Sequence, residues 1–232
     1  MIPKRVYFDG CSWTRGAELE HPEEERYSRL LSEHFDFDDE LNLGKSGGSN
    51  DRIVRNLIAE NNIVTYDLAI IQMTLPARTE FYYDHQKEWI RINPQYNYSS
   101  WLNDPPWNNK NLMRVDERVK DNSSALCPLC GTKTQKLSQK FVREGSFWHD
   151  YYRVMTSEKY FDTKEYIQFQ TIKNHCQVNN VPLILCTINQ WTDLDYDLQF
   201  HIKTLPRAPK GHPNKEGHRI IANELIKLID KI

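Results

Sequence analysis

Hydrophobic positions along the chain fall into two kinds of segment, short continuous runs and stripes at helical spacing, and they alternate. Val6-Tyr7-Phe8 is a β-branched and aromatic run that stops at Asp9-Gly10-Cys11-Ser12, which predicts a buried strand ending in a tight turn. From Glu24 to Phe35, Tyr27, Leu30, Leu31 and Phe35 recur at the spacing of an amphipathic helix. Leu41 to Leu43 predicts a second short strand, followed by the Gly-rich turn Gly44-Lys45-Ser46-Gly47-Gly48. Ser49 or Asn50 then caps a helix bearing Ile53, Val54, Leu57 and Ile58. Leu68-Ala69-Ile70-Ile71-Gln72-Met73 is apolar nearly throughout, as a strand covered on both faces of a parallel sheet must be. A helical stretch from Thr163 to Asn179 precedes another such run, Val181 to Cys186. A last helix begins near Asn214, with Ile221, Leu225, Leu228, Ile229 and Ile232 on one stripe. Strands alternating with helices predict a doubly wound, three-layer parallel α/β sheet.

The alternation breaks between Arg78 and about Gly145. Trp89, Tyr96, Tyr98, Trp101, Trp107, two adjacent prolines and many Asn residues follow one another with no sustained period. The chain is therefore expected to be one domain over 1–232, with residues 79–147 an insertion after the third strand. That position lies above the carboxyl ends of the strands, where ligands bind in open α/β sheets.

Charge and composition then narrow the function classes. Lys plus Arg is 30 and Asp plus Glu is 32, a formal charge of −2, which argues against a basic coat for nucleic acid. The apolar share of 39% and a mean hydropathy of −0.73 are low, yet 6 Trp, 12 Tyr and 9 Phe supply enough buried area for a core. No apolar run reaches the roughly 18–20 residues that span a bilayer, and no secretory apolar region precedes Val6, so a cytoplasmic, non-membrane protein is expected. Five scattered cysteines do not suggest a disulfide scaffold.

Chemistry concentrates at Gly10-Cys11-Ser12, Asn42-Leu43-Gly44-Lys45-Ser46-Gly47, the segment after Met73, and Gly211-His212-Pro213-Asn214. The first three follow strands and the last opens a helix, so all converge on one rim of the predicted sheet. A serine needs a base to become a nucleophile, and a neutral imidazole serves near pH 7. These blocks resemble those of the SGNH hydrolases, a GDSL-type esterase and lipase superfamily with a flavodoxin-like sheet. Gly10-Cys11-Ser12 stands where that family has Gly-Asp-Ser. Asn42, Gly44 and Gly47 match its Asn-x-Gly-x-x-Gly block, and His212-Pro213-Asn214 matches its His-Pro-Asn block. The turn Cys11-Ser12-Trp13-Thr14, with the run from Gly47 to Ile53, resembles a branch often found in bacteriophage genomes, for which the setting would be the host cytoplasm.

The resemblance implies Ser12 as nucleophile, His212 as general base, and the Ser12 and Gly47 amides as oxyanion donors. It covers about 150 residues and departs from the family pattern twice. Thr74-Leu75-Pro76-Ala77 replaces the block that supplies an oxyanion-holding Asn, and Pro209 stands where the acid that orients the histidine is found. Thr74, Gln72 and Arg78 are candidates for the missing donor, and a backbone carbonyl is a candidate for holding the ring. Arg52 and Arg55 read as solvated or paired on the helix surface rather than as substrate clamps, and His218 as a helix-face residue.

Cys127-Pro128-Leu129-Cys130-Gly131 has the form of a zinc knuckle. One knuckle supplies two ligands, so His85, His149, Cys176 or a second chain would complete a structural zinc site, and a metal-free turn is the alternative. Catalysis itself requires no cofactor. The insertion's aromatic rings suit sugar faces or a small local core equally. The expectation is a serine esterase or deacylase acting on a small ester, with O-acylated carbohydrate favoured. Its rivals are an inactive binding module of the same fold for a glycan or protein, and a zinc-stabilised adaptor.

Overall fold

A computed structural model describes residues 2–59, 63–83, 88–93, 125–126, 133–134, 140–141, 158–189, 192–201 and 204–232. They divide into two compact units, Met1–Pro76 with Asp162–Ile232, and Ala77–Phe161. The insertion expected at 79–147 lies largely outside the described residues.

The first unit runs β1 (Arg5–Asp9), α1 (Ser12–Arg15), α2 (Pro22–Glu25), α3 (Tyr27–Phe35), β2 (Asp39–Asn42), α4 (Asn50–Ala59) and β3 (Leu68–Met73). In the second unit, β4 (Thr79–Tyr83) pairs antiparallel with β5 (Glu88–Asn93), and β8 (Lys140–Phe141) joins β5 in parallel. There too, β6 (Ala125–Leu126) pairs with β7 (Lys133–Thr134). The chain continues through α5 (Glu158–Val178), β9 (Leu183–Thr187), β10 (Leu198–Gln199) and α6 (Lys215–Ile229). Among the described residues no helix is long and apolar enough to cross a membrane.

Five strands of the first unit form one all-parallel sheet in the order β2-β1-β3-β9-β10. Counted along this sheet alone the order is 2-1-3-4-5, the flavodoxin-like arrangement, with its switch point between β1 and β3. Alternation along the strands divides the core. Tyr7, Ala69, Ile71, Met73 and Leu185 pack against Ile53 and Leu57 of α4 and Phe169, Ile172 and Cys176 of α5. Val6, Phe8, Ile70 and Ile184 point the other way, and Phe8 meets Tyr27 of α3 edge to face at 6.3 Å. Each fully buried aliphatic side chain contributes about 1.5–3 kcal/mol, which is why β3, buried at all six positions, anchors the sheet.

Two predicted elements differ in detail. The helix expected from Glu24 to Phe35 is broken at Arg26, whose extended backbone (ψ 148°) separates α2 from α3. Arg26 is held there by Glu40 of β2 at 3.0 Å. The second strand begins two residues earlier than expected, at Asp39, because the Lys4 carbonyl already accepts the Asp38 and Asp39 N–H groups.

A buried polar cluster joins α5 to the segments that follow β9. Glu165, 2% exposed, accepts from the Asn189 amide at 2.8 Å and the Tyr196 hydroxyl at 3.0 Å. Burial pushes its carboxyl up to about 7, against the pull of those two donors and with a further push from Asp162. The native state therefore holds this proton more tightly than the unfolded chain does. The resulting stabilisation is complete below the ordinary value of 4.5 and is lost as pH rises through 7. Urea unfolding is expected to show wild type weakening over that window. Glu165→Gln should flatten that part of the curve by on the order of 2 kcal/mol, and an unchanged slope would contradict the buried carboxyl.

Candidate active site

The β1 strand delivers the chain into Gly10-Cys11-Ser12 at the switch point. A Cβ on Gly10 would lie 2.1 Å from Thr14 Oγ1, so only glycine lets α1 fold back this closely. Ser12 opens α1 and is 5% exposed. Its hydroxyl faces the Cys11 thiol at 3.9 Å, and among the described residues no hydrogen bond joins it directly to His212. The helix ends at Gly16, in the left-handed region at φ 78°, and the Ala17 N–H closes on the Ser12 carbonyl at 2.9 Å.

The second turn packs on the first. Leu43 N–H bonds to the Phe8 carbonyl at 2.8 Å and Lys45 N–H to the Gly10 carbonyl at 3.1 Å. A Cβ on Gly44 would lie 2.7 Å from the Arg15 nitrogen, backbone against backbone. Asn42 locks the joint by donating to the Thr14 carbonyl at 3.1 Å and to Ser28 Oγ at 2.7 Å, while its own oxygen accepts from Gly44 N–H at 2.9 Å. Gly47 adopts φ 68°, and Ser49 Oγ caps α4 by accepting from Arg52 N–H at 3.2 Å. The Ser12 and Gly47 N–H groups have no hydrogen-bond partner among the described residues.

Beneath these turns lies a charged clamp. Asp9, fully buried, accepts from Arg52 Nη1 at 2.9 Å, Asn56 Nδ2 at 2.9 Å and Gly10 N–H at 2.7 Å. Burial pushes the Asp9 carboxyl up to about 6 even though Arg52 and Asn56 pull it down. Arg52 also donates to the Leu43 carbonyl. The expectation that Arg52 sits on the helix surface is thus corrected, because its guanidinium is the only cation that reaches the carboxylate at the end of β1 among the described ion pairs.

Of the residues considered for the missing oxyanion donor, Gln72 is buried and committed. It accepts from Thr14 Oγ1 at 2.9 Å, and its amide nitrogen contacts Cys11 Sγ at 3.4 Å and the Met73 carbonyl at 3.3 Å. Thr74 is also buried. Its N–H donates to Asn50 Oδ1 at 2.7 Å and its carbonyl accepts from Asn50 Nδ2 at 2.9 Å, which ties the end of β3 to the start of α4. Arg78 belongs to the second unit. Cys127 and Cys130, with His85 and His149, lie outside the described residues, and Cys176 is buried in the core. Among the described residues no group of three or more His, Cys, Asp or Glu is placed to hold a metal.

His212 sits in a compact loop before α6. Ala208 N–H bonds to the His212 carbonyl at 2.8 Å, Gly211 takes φ 95°, and Asn214 caps the helix by accepting from Gly217 N–H at 3.0 Å. The imidazole Nδ1 lies 2.5 Å from Glu18 Oε2. A carboxylate can only accept here, so Nδ1 is the donor of this hydrogen bond. The Lys210 and His212 N–H groups also donate to Glu18, at 2.9 and 3.2 Å. Burial alone would raise the Glu18 carboxyl, but these donors outweigh it and hold it below the ordinary value. Glu18 occupies φ 70°, a conformation costing a non-glycine residue about 1–2 kcal/mol, stored where the carboxylate meets the ring. The carboxylate that meets the ring thus comes from the loop after α1, six residues beyond Ser12.

His218, read from the sequence as a helix-face residue, is buried. It stacks on Tyr27 at 5.9 Å, and its Nδ1 accepts from Tyr27 N–H at 3.2 Å. Burial, reinforced by the nearby His212, pushes it down to about 4, so it is a neutral structural ring.

No protein-family model matches the chain, and a search of curated proteins finds no match. Among solved structures the chain is similar to psychrotrophic esterase EstA from Pseudoalteromonas sp., at 13% identity over 98% of this chain and 97% of that one, with a TM-score of 0.48. It is similar to a member of the lipolytic G-D-S-L family from Veillonella parvula, at 11% identity over 98% and 99% of the two chains, with a TM-score of 0.37. A third similarity is to a two-domain esterase active on acetylated mannans, at 14% identity over 98% of this chain and 48% of that one, with a TM-score of 0.36. The strand order of the first unit stands independently of these likenesses.

The packing of the two turns has a direct test. Gly44→Ala forces a methyl into the backbone at Thr14 and Arg15, and it is expected to destabilise the protein by about 1–3 kcal/mol in urea unfolding. A cost below about 0.5 kcal/mol, the scale of an ordinary surface substitution, would contradict the close approach.

Proposed function

We propose that the protein is a serine hydrolase acting on a carboxylic ester, with an O-acylated carbohydrate as the favoured substrate. The observation that carries this reading is the Glu18–His212 pair, held at 2.5 Å beside the turn that bears Ser12. A carboxylate on Nδ1 leaves Nε2 free to take a proton, and Glu18 fixes the ring by accepting from the Lys210 and His212 backbone as well.

In the proposed reaction His212 Nε2 removes the Ser12 hydroxyl proton as Oγ forms a bond to the acyl carbon. The negative charge that develops on the carbonyl oxygen is met by the Ser12 and Gly47 N–H groups, each donor worth roughly 3 kcal/mol of barrier. The ester C–O bond breaks, and His212 returns its proton to the departing alcohol. Water then repeats the sequence on the acyl-serine, releasing the acid and restoring Ser12. Glu18 keeps its negative charge throughout and stabilises the imidazolium. The reaction requires the serine hydroxyl, which faces the Cys11 thiol in the free protein, to turn toward the ring when substrate binds.

A fluorophosphonate probe should label the wild-type protein and not Ser12→Ala. His212→Asn should lose on the order of 10³-fold or more in ester hydrolysis, and Glu18→Gln about 10²-fold, with both variants folded by circular dichroism. A wild-type protein that neither labels nor hydrolyses esters would favour the inactive binding module instead.

A further inference from the structure

Side-chain charges around the Ser12 turn do not cancel. Elsewhere in the first unit several exposed cations have carboxylates beside them, as Lys4 with Asp36, Arg5 with Asp39, Arg29 with Glu33 and Lys227 with Glu224. Arg15, Lys45 and Lys210 are exposed too, yet none has an ion pair or side-chain hydrogen bond among the described residues.

These three residues are held together by their backbones. Arg15 N–H bonds to the Cys11 carbonyl at 3.2 Å, and Lys45 N–H to the Gly10 carbonyl at 3.1 Å. Gly44, next to Lys45, is in backbone contact with Arg15. Lys210 N–H bonds to Glu18 Oε1 at 2.9 Å, and Glu18 holds the His212 ring. Thus all three stems rise from the segments that frame Ser12 and His212. The two carboxylates bonded to these segments are already committed, Glu18 to His212 and Asp9, beneath the turn, to Arg52.

We infer that this rim selects an anionic substrate, an ester whose alcohol portion carries a phosphate or a carboxylate, such as an acylated acidic sugar. The inference rests on the ester-hydrolase reading and names the substrate class of that same site. One guanidinium and two mobile ammonium groups suit an anion displaced from the ester group. The guanidinium supplies a bidentate fork, and the lysines supply point charges that adjust to its position. Because all three are solvated, the selection is strongest at low ionic strength and fades as salt screens it.

The test compares methyl 3-O-acetylglucoside, its 6-phosphate and the matching 3-O-acetylglucuronide. Hydrolysis is measured as kcat/KM at low and high salt, and binding by titration of the Ser12→Ala protein. At low salt the phosphate should be favoured over the neutral glucoside by roughly tenfold or more, with the glucuronide between them, and high salt should erase most of the difference. In a variant combining Arg15→Gln, Lys45→Gln and Lys210→Gln, the ratio should fall toward one. Exposed positions tolerate these changes without unfolding. Equal turnover and equal binding of charged and neutral sugars by the wild-type rim would overturn the inference. If nothing is hydrolysed but the phosphate still binds preferentially and the triple variant loses that preference, the ester reading fails while the anion site stands.

Discussion

A carboxylate at the end of a central strand has to be met by a cation that can reach it inside the protein. Asp9 stands in that position, and Arg52 answers it from α4 while also donating to the Leu43 carbonyl at the end of β2. One guanidinium thereby joins the ends of two adjacent strands to the helix that follows the second turn. An isolated charge there would be expelled or neutralised, and the elevated Asp9 pKa of about 6 records how close the balance is. The two turns of the candidate site are laid over this clamp, and their backbones approach each other where Gly44 lies against Thr14 and Arg15.

Polar groups near the turns separate into those that brace and those left open. Gln72, Thr14, Tyr27, Asn42 and Asn50 spend their hydrogen bonds on one another or on backbone, below and beside the turns. The Ser12 and Gly47 amides have none of these partners among the described residues. Such an arrangement keeps donors fixed in place before any ligand arrives, which is what electrostatic stabilisation of a developing charge requires. His218 belongs to the bracing set. It fills space against Tyr27 as a neutral ring, whereas the His212 ring meets the Glu18 carboxylate.

Much of the first unit was legible from hydrophobic periodicity. Continuous apolar runs marked β1, β3 and β9, and stripes marked α4 and α6, because burial on both faces of a sheet or one face of a helix leaves a local record. The parallel sheet followed from the alternation of strands and helices, whereas its flavodoxin-like order was implied only by the family resemblance. Long-range polar pairings leave no such record. Arg52 and Asp9 are 43 positions apart, and nothing at either residue announces the other, so Arg52 read as a surface charge. Glu18 escaped for the same reason, since the sequence offered a proline where an acid was sought and no local signal for one elsewhere. Its left-handed backbone is a property of the folded loop alone. The motif Cys127-Pro128-Leu129-Cys130 stayed apart from the described structure altogether.

The Glu18–His212 contact closes a separation of 194 residues. During synthesis, at roughly 5–20 residues per second, the serine turn emerges early and the imidazole loop only many seconds later. Until then the sheet's first strands can assemble, but the ring and the carboxylate that would orient it have not met. The imidazole and its carboxylate partner therefore meet only after residue 212 has been made, long after the turns they adjoin.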